Sequence, residues 1–406
     1  MAKNKETNFN YETKASRLSE LPLFFKSLVT HARGGTTYKH YQKLADAYLP
    51  AELYLTFFKS EQLGEESDQG WLEGFEKHPF PNPKNPKFTF IDLFAGIGGF
   101  RLALNALGGE CIFSSEWNLD AQKTYYSNFG DYPFGDITKK ETKACIPEKF
   151  DVLCAGFPCQ AFSVAGYRKG FEDARGTLFF DVAEIIKTHR PKAVFLENVK
   201  NLKNHDDGKT YGVIRNILEN ELGYKVFDCV MSPDEYVDIP QNRERIFIIC
   251  FDPNQVPLEQ IEQFKFPTAK KATRKIEDFI NYEVDDETFF YREKVLFYDQ
   301  LIATMKRSDT VYQWRRQYVR ENKSNQCPTL TANMGTGGHN VPLILTPKGI
   351  RKLTPRECLN FQGYPMEYTF PEIAKSKQYM QAGNSVVVPL IKAVAERMIA
   401  ATGIDA

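Results

Sequence analysis

Two side chains in this sequence have the types and settings of a covalent-catalysis pair: the thiol of Cys159 and the carboxylate of Glu197. The apolar run Phe150-Asp151-Val152-Leu153-Cys154-Ala155 reads as a buried strand, and Gly156-Phe157-Pro158 cannot prolong it because proline donates no ladder hydrogen bond. Cys159 is therefore expected just past a strand's carboxyl end, where ligands gather in open α/β sheets. A thiol there is a nucleophile if its surroundings lower its pKa, and a buried structural cysteine if they do not. Ala193-Val194-Phe195-Leu196 reads as a neighbouring strand with Glu197-Asn198-Val199 at its end. A carboxylate and a thiol at adjacent strand ends are a sharper signal than either alone. Arg243 and Arg245 alternate at the start of another apolar run, so on extended chain both guanidinium groups face one way. They can hold an anionic or carbonyl-bearing substrate through forked hydrogen bonds, or form a solvated charge cluster.

A second set of residues has the pattern of a nucleotide cradle. Phe88-Thr89-Phe90-Ile91-Asp92-Leu93-Phe94 reads as a strand, followed by the glycine turn Ala95-Gly96-Ile97-Gly98-Gly99 and a helix start. The turn breaks the G-x-G-x-x-G pattern, because Arg101 stands where the third glycine belongs. That argues against a pyrophosphate-bearing cofactor. Glu116 ends the next strand, where an acid accepts hydrogen bonds from ribose hydroxyls. Trp117 offers a flat apolar face to an adenine, and Asp136 and Ile137 stand at a third strand end, suited to an adenine amino group and ring. Three such strand ends in succession suggest an adenosyl site, with S-adenosylmethionine as the expected ligand.

The elements that must position these groups follow from the rest of the chain. At 406 residues, two or three lobes are expected. Helix-like spacing over 18–29 and 41–49, ended by the proline-rich stretch Pro81-Asn82-Pro83-Lys84-Asn85-Pro86, predicts a helical extension over residues 1–87. A packing role is the simplest reading of it; contact with DNA or a partner is the other. No run is apolar enough to span a bilayer and no signal-peptide core opens the chain. The eight cysteines form no Cys-x-x-Cys pair, so neither a metal site nor a disulfide scaffold is expected, and a reduced cytoplasmic setting is. Zero net charge excludes a uniformly basic coat but not a local basic face. Residues 160–176 carry three glycines, lack a steady period and read as a mobile loop able to close over a substrate.

From Phe88 onward the sequence resembles the cytosine-C5 DNA methyltransferases. The resemblance rests on Phe94-Ala95-Gly96-Ile97-Gly98-Gly99, Gly156-Phe157-Pro158-Cys159-Gln160-Ala161-Phe162-Ser163, Phe195-Leu196-Glu197-Asn198-Val199, Gln241-Asn242-Arg243-Glu244-Arg245, Arg351-Lys352-Leu353-Thr354-Pro355-Arg356-Glu357-Cys358 and Gln381-Ala382-Gly383-Asn384-Ser385-Val386, in the family's unpermuted order. It implies a Rossmann-like S-adenosylmethionine-dependent α/β fold with a mixed, mostly parallel sheet and a smaller target-recognition domain. The expected division is a helical extension at 1–87, a catalytic domain at 88–254, target recognition at 255–350 and a returning segment at 351–406. The resemblance implies that Cys159 adds to C6 of a flipped-out cytosine, that Glu197 serves N3, and that Arg243 and Arg245 fix the base.

By the same resemblance, Phe94, Ala95, Gly96, Gly98, Gly99, Glu116, Trp117, Asp136, Ile137, Pro158, Leu178, Asn384 and Val386 are expected around the cofactor, with S-adenosylhomocysteine as product. Gln160, Ser163, Arg168, Arg315, Arg316, Thr329 and Thr331 are expected at DNA. Between Lys306 and Lys323, basic residues outnumber acidic ones and Tyr312, Trp314 and Tyr318 interleave, which suits phosphate contact with base reading, although a charge run is usually a solvated face. The implied partners are duplex DNA and, functionally, a restriction endonuclease with no stable complex; a monomer is expected. An RNA cytosine methyltransferase and a DNA-binding regulator working through residues 1–87 are the alternatives.

Overall fold

The structure is a computed structural model that describes residues 23–31, 35–48, 78–158, 178–270, 272–336 and 339–404. Cys159, Gln160, Ser163, Arg168 and the expected closing loop lie outside the described residues.

Six strands form the main sheet: β1 (Phe88–Leu93), β2 (Gly109–Ser115), β3 (Val152–Ala155), β4 (Ala193–Val199), β5 (Lys225–Met231) and β6 (Arg245–Phe251). Their order is β2-β1-β3-β4-β6-β5. β2, β1, β3 and β4 pair in parallel, and β6 runs against both of its neighbours, as the expected mixed sheet requires. The chain passes from β1 outward to β2 and then to β3 on the other side of β1. That reversal opens a crevice at the carboxyl ends of β1, β2 and β3.

Side-chain alternation explains why these stretches are strands. Phe90, Cys154, Phe195 and Ile249 face one apolar layer, and Ile91, Leu153, Leu196 and Ile248 face the other. Both faces are buried, so the sequence shows continuous apolar runs. The first layer is covered by α3 (Gly99–Asn105) and by the last helix, Val388–Thr402. The second is covered by α5 (Leu178–His189) and by α1 (Leu23–His31) and α2 (Tyr38–Tyr48) from the N-terminal extension. α4 (Leu119–Phe129) follows β2, with the Asn118 side chain accepting from the amides of Asp120 and Ala121 as its N-cap.

A smaller antiparallel sheet, β7 (Tyr312–Trp314), β8 (Val319–Glu321), β9 (Leu343–Thr346) and β10 (Gly349–Lys352), has its own core of Tyr291, Leu301, Met305, Tyr312, Val319, Leu343 and Ile350. The chain then returns through α6 (Pro355–Phe361) and α7 (Lys375–Asn384) to the last helix, α8. The turn into α6 is fixed by a fully buried ion pair: Arg351 gives two hydrogen bonds of 2.7 Å to the Glu357 carboxylate. Glu357 also accepts from the amides of Asn281 and Thr354.

Candidate active site

A cleft of about 920 Å³ lies across the carboxyl ends of β1, β2, β3 and β4 and is closed on its far side by residues 330–332 and by α7. Glu197, Arg243 and Arg245 of the first sequence-predicted cluster meet the second in it. Of the expected cofactor residues, Phe94, Ala95, Gly96, Gly99, Glu116, Trp117, Asp136, Ile137, Pro158, Leu178, Asn384 and Val386 line the cleft. Gly98 does not: at φ +81° it is the left-handed N-cap of α3, and a Cβ there would stand inside the Phe129 ring. Gly99 is required for a different reason, since a Cβ on it would lie 2.5 Å from Val386 of the returning segment. Phe94 is left-handed too, at φ +56°, an uncommon conformation for a bulky residue and one that clusters at functional sites.

At the end of β2, Glu116 is buried, and burial raises the pKa of its carboxyl. One oxygen accepts from Gly96 N at 2.9 Å and the other from Asn118 N at 2.7 Å. These amides fix the carboxylate while each oxygen keeps a lone pair for a ligand hydroxyl. The Trp117 ring beside it is 74% exposed. Asp136 Oδ1 accepts from both the amide and the hydroxyl of Thr138, at 2.9 and 2.8 Å. Its Oδ2 has no partner among the described residues and remains an acceptor. Thr138 carries no sequence signal of its own, since its part is a local Asx-type turn.

β4 runs three residues further than its sequence pattern suggests. β3 stops at Ala155, opposite Leu196, whereas β4 continues to Val199 on its other side against β6. Glu197 is therefore on the strand, not after it, and its β3 flank opens into the cleft. Gly156 passes this flank so closely that a Cβ on it would be 3.6 Å from Glu197 Oε2. Glu197 is 9% exposed, and its Oε1 pairs with Arg245 Nε at 3.1 Å. Asn198, next in sequence, donates to the Phe157 carbonyl at 2.8 Å and anchors the Gly156-Phe157-Pro158 turn. The sequence gives this role away only as a polar residue inside an apolar strand.

The two arginines do not share one task. Arg245 opens β6 and meets Glu197. Arg243, 3% exposed, donates to the backbone carbonyls of Leu330 at 2.6 Å, Gly383 at 3.2 Å and Ser385 at 2.5 Å. Burial, reinforced by the charge of Arg245, lowers its pKa to about 9, with Glu197 opposing the shift. Arg243 is thus a strut between the β6 entry, the 330–332 segment and the end of α7, and it lines the cleft together with Arg245 and Glu197.

Among the expected DNA residues, Thr331 lines the cleft and Thr329 donates to the Asn242 carbonyl at 2.6 Å. Arg315 and Arg316 sit on the exposed turn joining β7 and β8, away from the cleft lining. In the same basic stretch, Arg307 is paired with Asp309 and Glu321. The described cysteines are Cys111, Cys145, Cys154, Cys250, Cys327 and Cys358, all buried, and half-buried Cys229; burial raises every one of their thiols. No group of three or more His, Cys, Asp or Glu able to hold a metal occurs among the described residues. No described helix is long and apolar enough to cross a membrane.

The fold and this cleft define a doubly wound enzyme with a nucleotide-type pocket next to a carboxylate–arginine pair. Residues 88–400 match the model of the C-5 cytosine-specific DNA methylase family, and the chain belongs to that family. It is a DNA cytosine-5 methyltransferase. It is 49% identical over 310 residues to the Type II methyltransferase M.Bsp6I of Bacillus sp. (strain RFL6), covering 75% of this chain and 96% of that one. It is 45% identical over 349 residues to M.HpaII of Haemophilus parainfluenzae, covering 81% and 94%, and 41% identical over 325 residues to M.HhaI of Haemophilus parahaemolyticus, covering 75% and 92%. Among solved structures, the S. pombe Dnmt2 methyltransferase matches 77% of this chain and 98% of its own, with TM-score 0.57 and 17% identity, a likeness of fold.

Proposed function

We propose that the chain methylates C5 of a flipped-out cytosine in a short duplex DNA site, with S-adenosylmethionine as donor and Cys159 as covalent nucleophile. The observation that carries this is Glu197, held by Arg245 on the cleft wall next to the Gly156-Phe157-Pro158 turn. Cys159 follows Pro158 in sequence, and Pro158 lines the same cleft. The seven described thiols, raised by burial, are poor competitors for the role.

When bound, S-adenosylmethionine supplies an electrophilic methyl group. The residues suit it: Glu116 for the ribose hydroxyls, Asp136 Oδ2 for an adenine amino group, Trp117 and Ile137 for the ring. The Cys159 thiolate adds to C6, and the electron pair displaced from the C5–C6 bond makes C5 nucleophilic. Glu197 stabilises the charge that reaches N3, by a hydrogen bond or proton. After methyl transfer, a base removes the C5 proton and the C6–S bond breaks, returning the thiolate. The base must leave the helix stack for this contact. We also read residues 255–350 as the target-recognition lobe, and the modification as protection from a cognate restriction endonuclease.

Incubating the protein with S-adenosylmethionine and duplex DNA bearing 5-fluorocytosine at the modified position should trap a covalent adduct, because after methyl transfer fluorine cannot leave C5 as a proton does. Cys159→Ala should form none; an adduct that persists in this variant places the nucleophile elsewhere.

A further inference from the structure

We propose that α1 and α2 form a clamp on residues 132–134 that positions the adenosyl half of the cofactor cleft, so that Ser27, Thr30 and Tyr41 are positioning residues for cofactor binding. The proposal rests on the cofactor reading above. These helices precede residue 88, where the family match begins.

Three successive residues of the clamped segment are each held by a different contact. The Tyr132 amide donates to Thr30 Oγ1 at 3.1 Å, and Ser27 Oγ donates to the Pro133 carbonyl at 3.0 Å. The Phe134 ring is enclosed by His31 at 5.0 Å, Tyr41 at 5.8 Å and Phe24 at 6.4 Å between centroids, with Phe113 stacked on it from the sheet at 5.1 Å. Tyr41 also donates from its hydroxyl to the Ile112 carbonyl of β2 at 2.6 Å. The hairpin therefore grips the β2 edge and the segment beside it at once.

That segment is what places the cofactor groups. Phe134 forms a parallel bridge with Ser115, its amide donating to the Ser114 carbonyl and its carbonyl accepting from the Glu116 amide, both at 2.8 Å. Two residues on stands Asp136, and Ile137 shares one buried layer with Phe25, Leu28, Val29, Tyr41 and Ala45 of the two helices. A single bridge is a weak way to fix a strand, since an edge pairing needs several bonds or a covering element for stability. The hairpin supplies that cover. If it loosens, Glu116 and Asp136 lose their common frame, while Glu197 and Arg245, across the sheet on β4 and β6, keep theirs.

The test uses the full chain, with S-adenosylhomocysteine affinity measured by calorimetry and steady-state methylation of duplex DNA. Tyr41→Leu should raise the Kd for S-adenosylhomocysteine and the KM for S-adenosylmethionine about tenfold, the scale of one or two lost contacts, with kcat within about twofold. Tyr41→Phe, which keeps the ring, should stay within about threefold of wild type. Leu218→Ala provides the control, because Leu218 is buried in the same layer but packs in the turn beside β5, at the opposite edge of the sheet. It should lower Tm without changing Kd. Unchanged affinity in Tyr41→Leu, or an equal loss in Leu218→Ala at matched Tm, overturns the clamp. Should Tyr41→Leu not accumulate folded, Thr30→Val makes the same comparison by deleting only the oxygen that accepts the Tyr132 amide; an affinity equal to wild type overturns the proposal. Wild-type protein that binds no S-adenosylhomocysteine overturns the cofactor reading along with it.

Discussion

Glu197 and Arg245 form the ion pair of the cleft, Oε1 to Nε at 3.1 Å, across the antiparallel join of β4 and β6. The pair exists because β6 is the reversed strand: its first residue lies beside the last residues of β4, so a side chain from a strand start reaches one from a strand end. With one oxygen held by Arg245, the other is directed toward the flank that β3 leaves open.

Glu197→Gln keeps the shape and removes the charge. It should slow single-turnover methyl transfer by about 10²–10⁴-fold, the range for a positioned acid–base group, while duplex DNA affinity changes by less than about threefold. A wild-type transfer rate would remove Glu197 from the chemistry. Arg245→Met should show a smaller rate loss, because it releases the carboxylate without deleting it.

Arg243 should behave differently from Arg245. Arg243→Met leaves the carbonyls of Leu330, Gly383 and Ser385 without their buried donor. The expected cost is at least about 2 kcal/mol of stability, with joint weakening of cofactor and DNA binding, because the strut joins Asn384's segment to the 330–332 segment. Arg243→Lys should recover only part of this, since an ammonium cannot reproduce a planar fork. Denaturant titration with both binding assays on the three proteins checks it; a variant that loses turnover alone would assign Arg243 to the reaction instead.

The sequence carried the strands and their ends because buried parallel strands leave long apolar runs, and punctuation by glycine or proline marks where each stops. It pointed to Glu197 and the two arginines of the cleft because they sit at that punctuation, whereas Cys159 lies outside the described residues. What it could not carry is what depends on partners distant in the chain. Arg243 and Arg245 look equivalent in sequence and both line the cleft, and only their neighbours separate a carbonyl-holding strut from the partner of Glu197. The extra length of β4 is set by pairing with β6, which no local pattern encodes. Gly98 belongs to the motif yet serves helix packing. The helices of the extension were legible from their spacing, whereas their docking on Phe134 was not, because aromatic enclosure has no period.

The Arg351–Glu357 pair lies in a stretch that resembles the family but does not touch the cleft. Glu357→Gln leaves a buried guanidinium without its counter-ion, and the expected loss is about 3–5 kcal/mol. The effect should appear as lower Tm with kcat and both affinities retained in the folded fraction. A normal Tm with altered kinetics would mean that this turn communicates with the site.

Asp92 makes stability depend on pH. It is 1% exposed on β1, and neither carboxylate oxygen has a hydrogen-bond partner among the described residues. Burial raises its pKa well above the ordinary value; Arg101 pulls it down and Glu116 pushes it up. In the unfolded chain the carboxyl ionises near its ordinary value of about 3.9, whereas in the folded chain it stays protonated to higher pH. Between those two values the folded state binds the extra proton, so this residue's contribution to stability falls as pH rises, by up to about 1.4 kcal/mol per pH unit. Asp92→Asn has no proton to lose and keeps the shape. Its amide brings a fixed desolvation cost, so the informative quantity is a slope: the unfolding free energy of Asp92→Asn minus that of wild type should increase from pH 5 to pH 8.5 in denaturant titrations. A difference that stays level across that range would mean the folded protein holds Asp92 ionised, with a compensating partner for its charge.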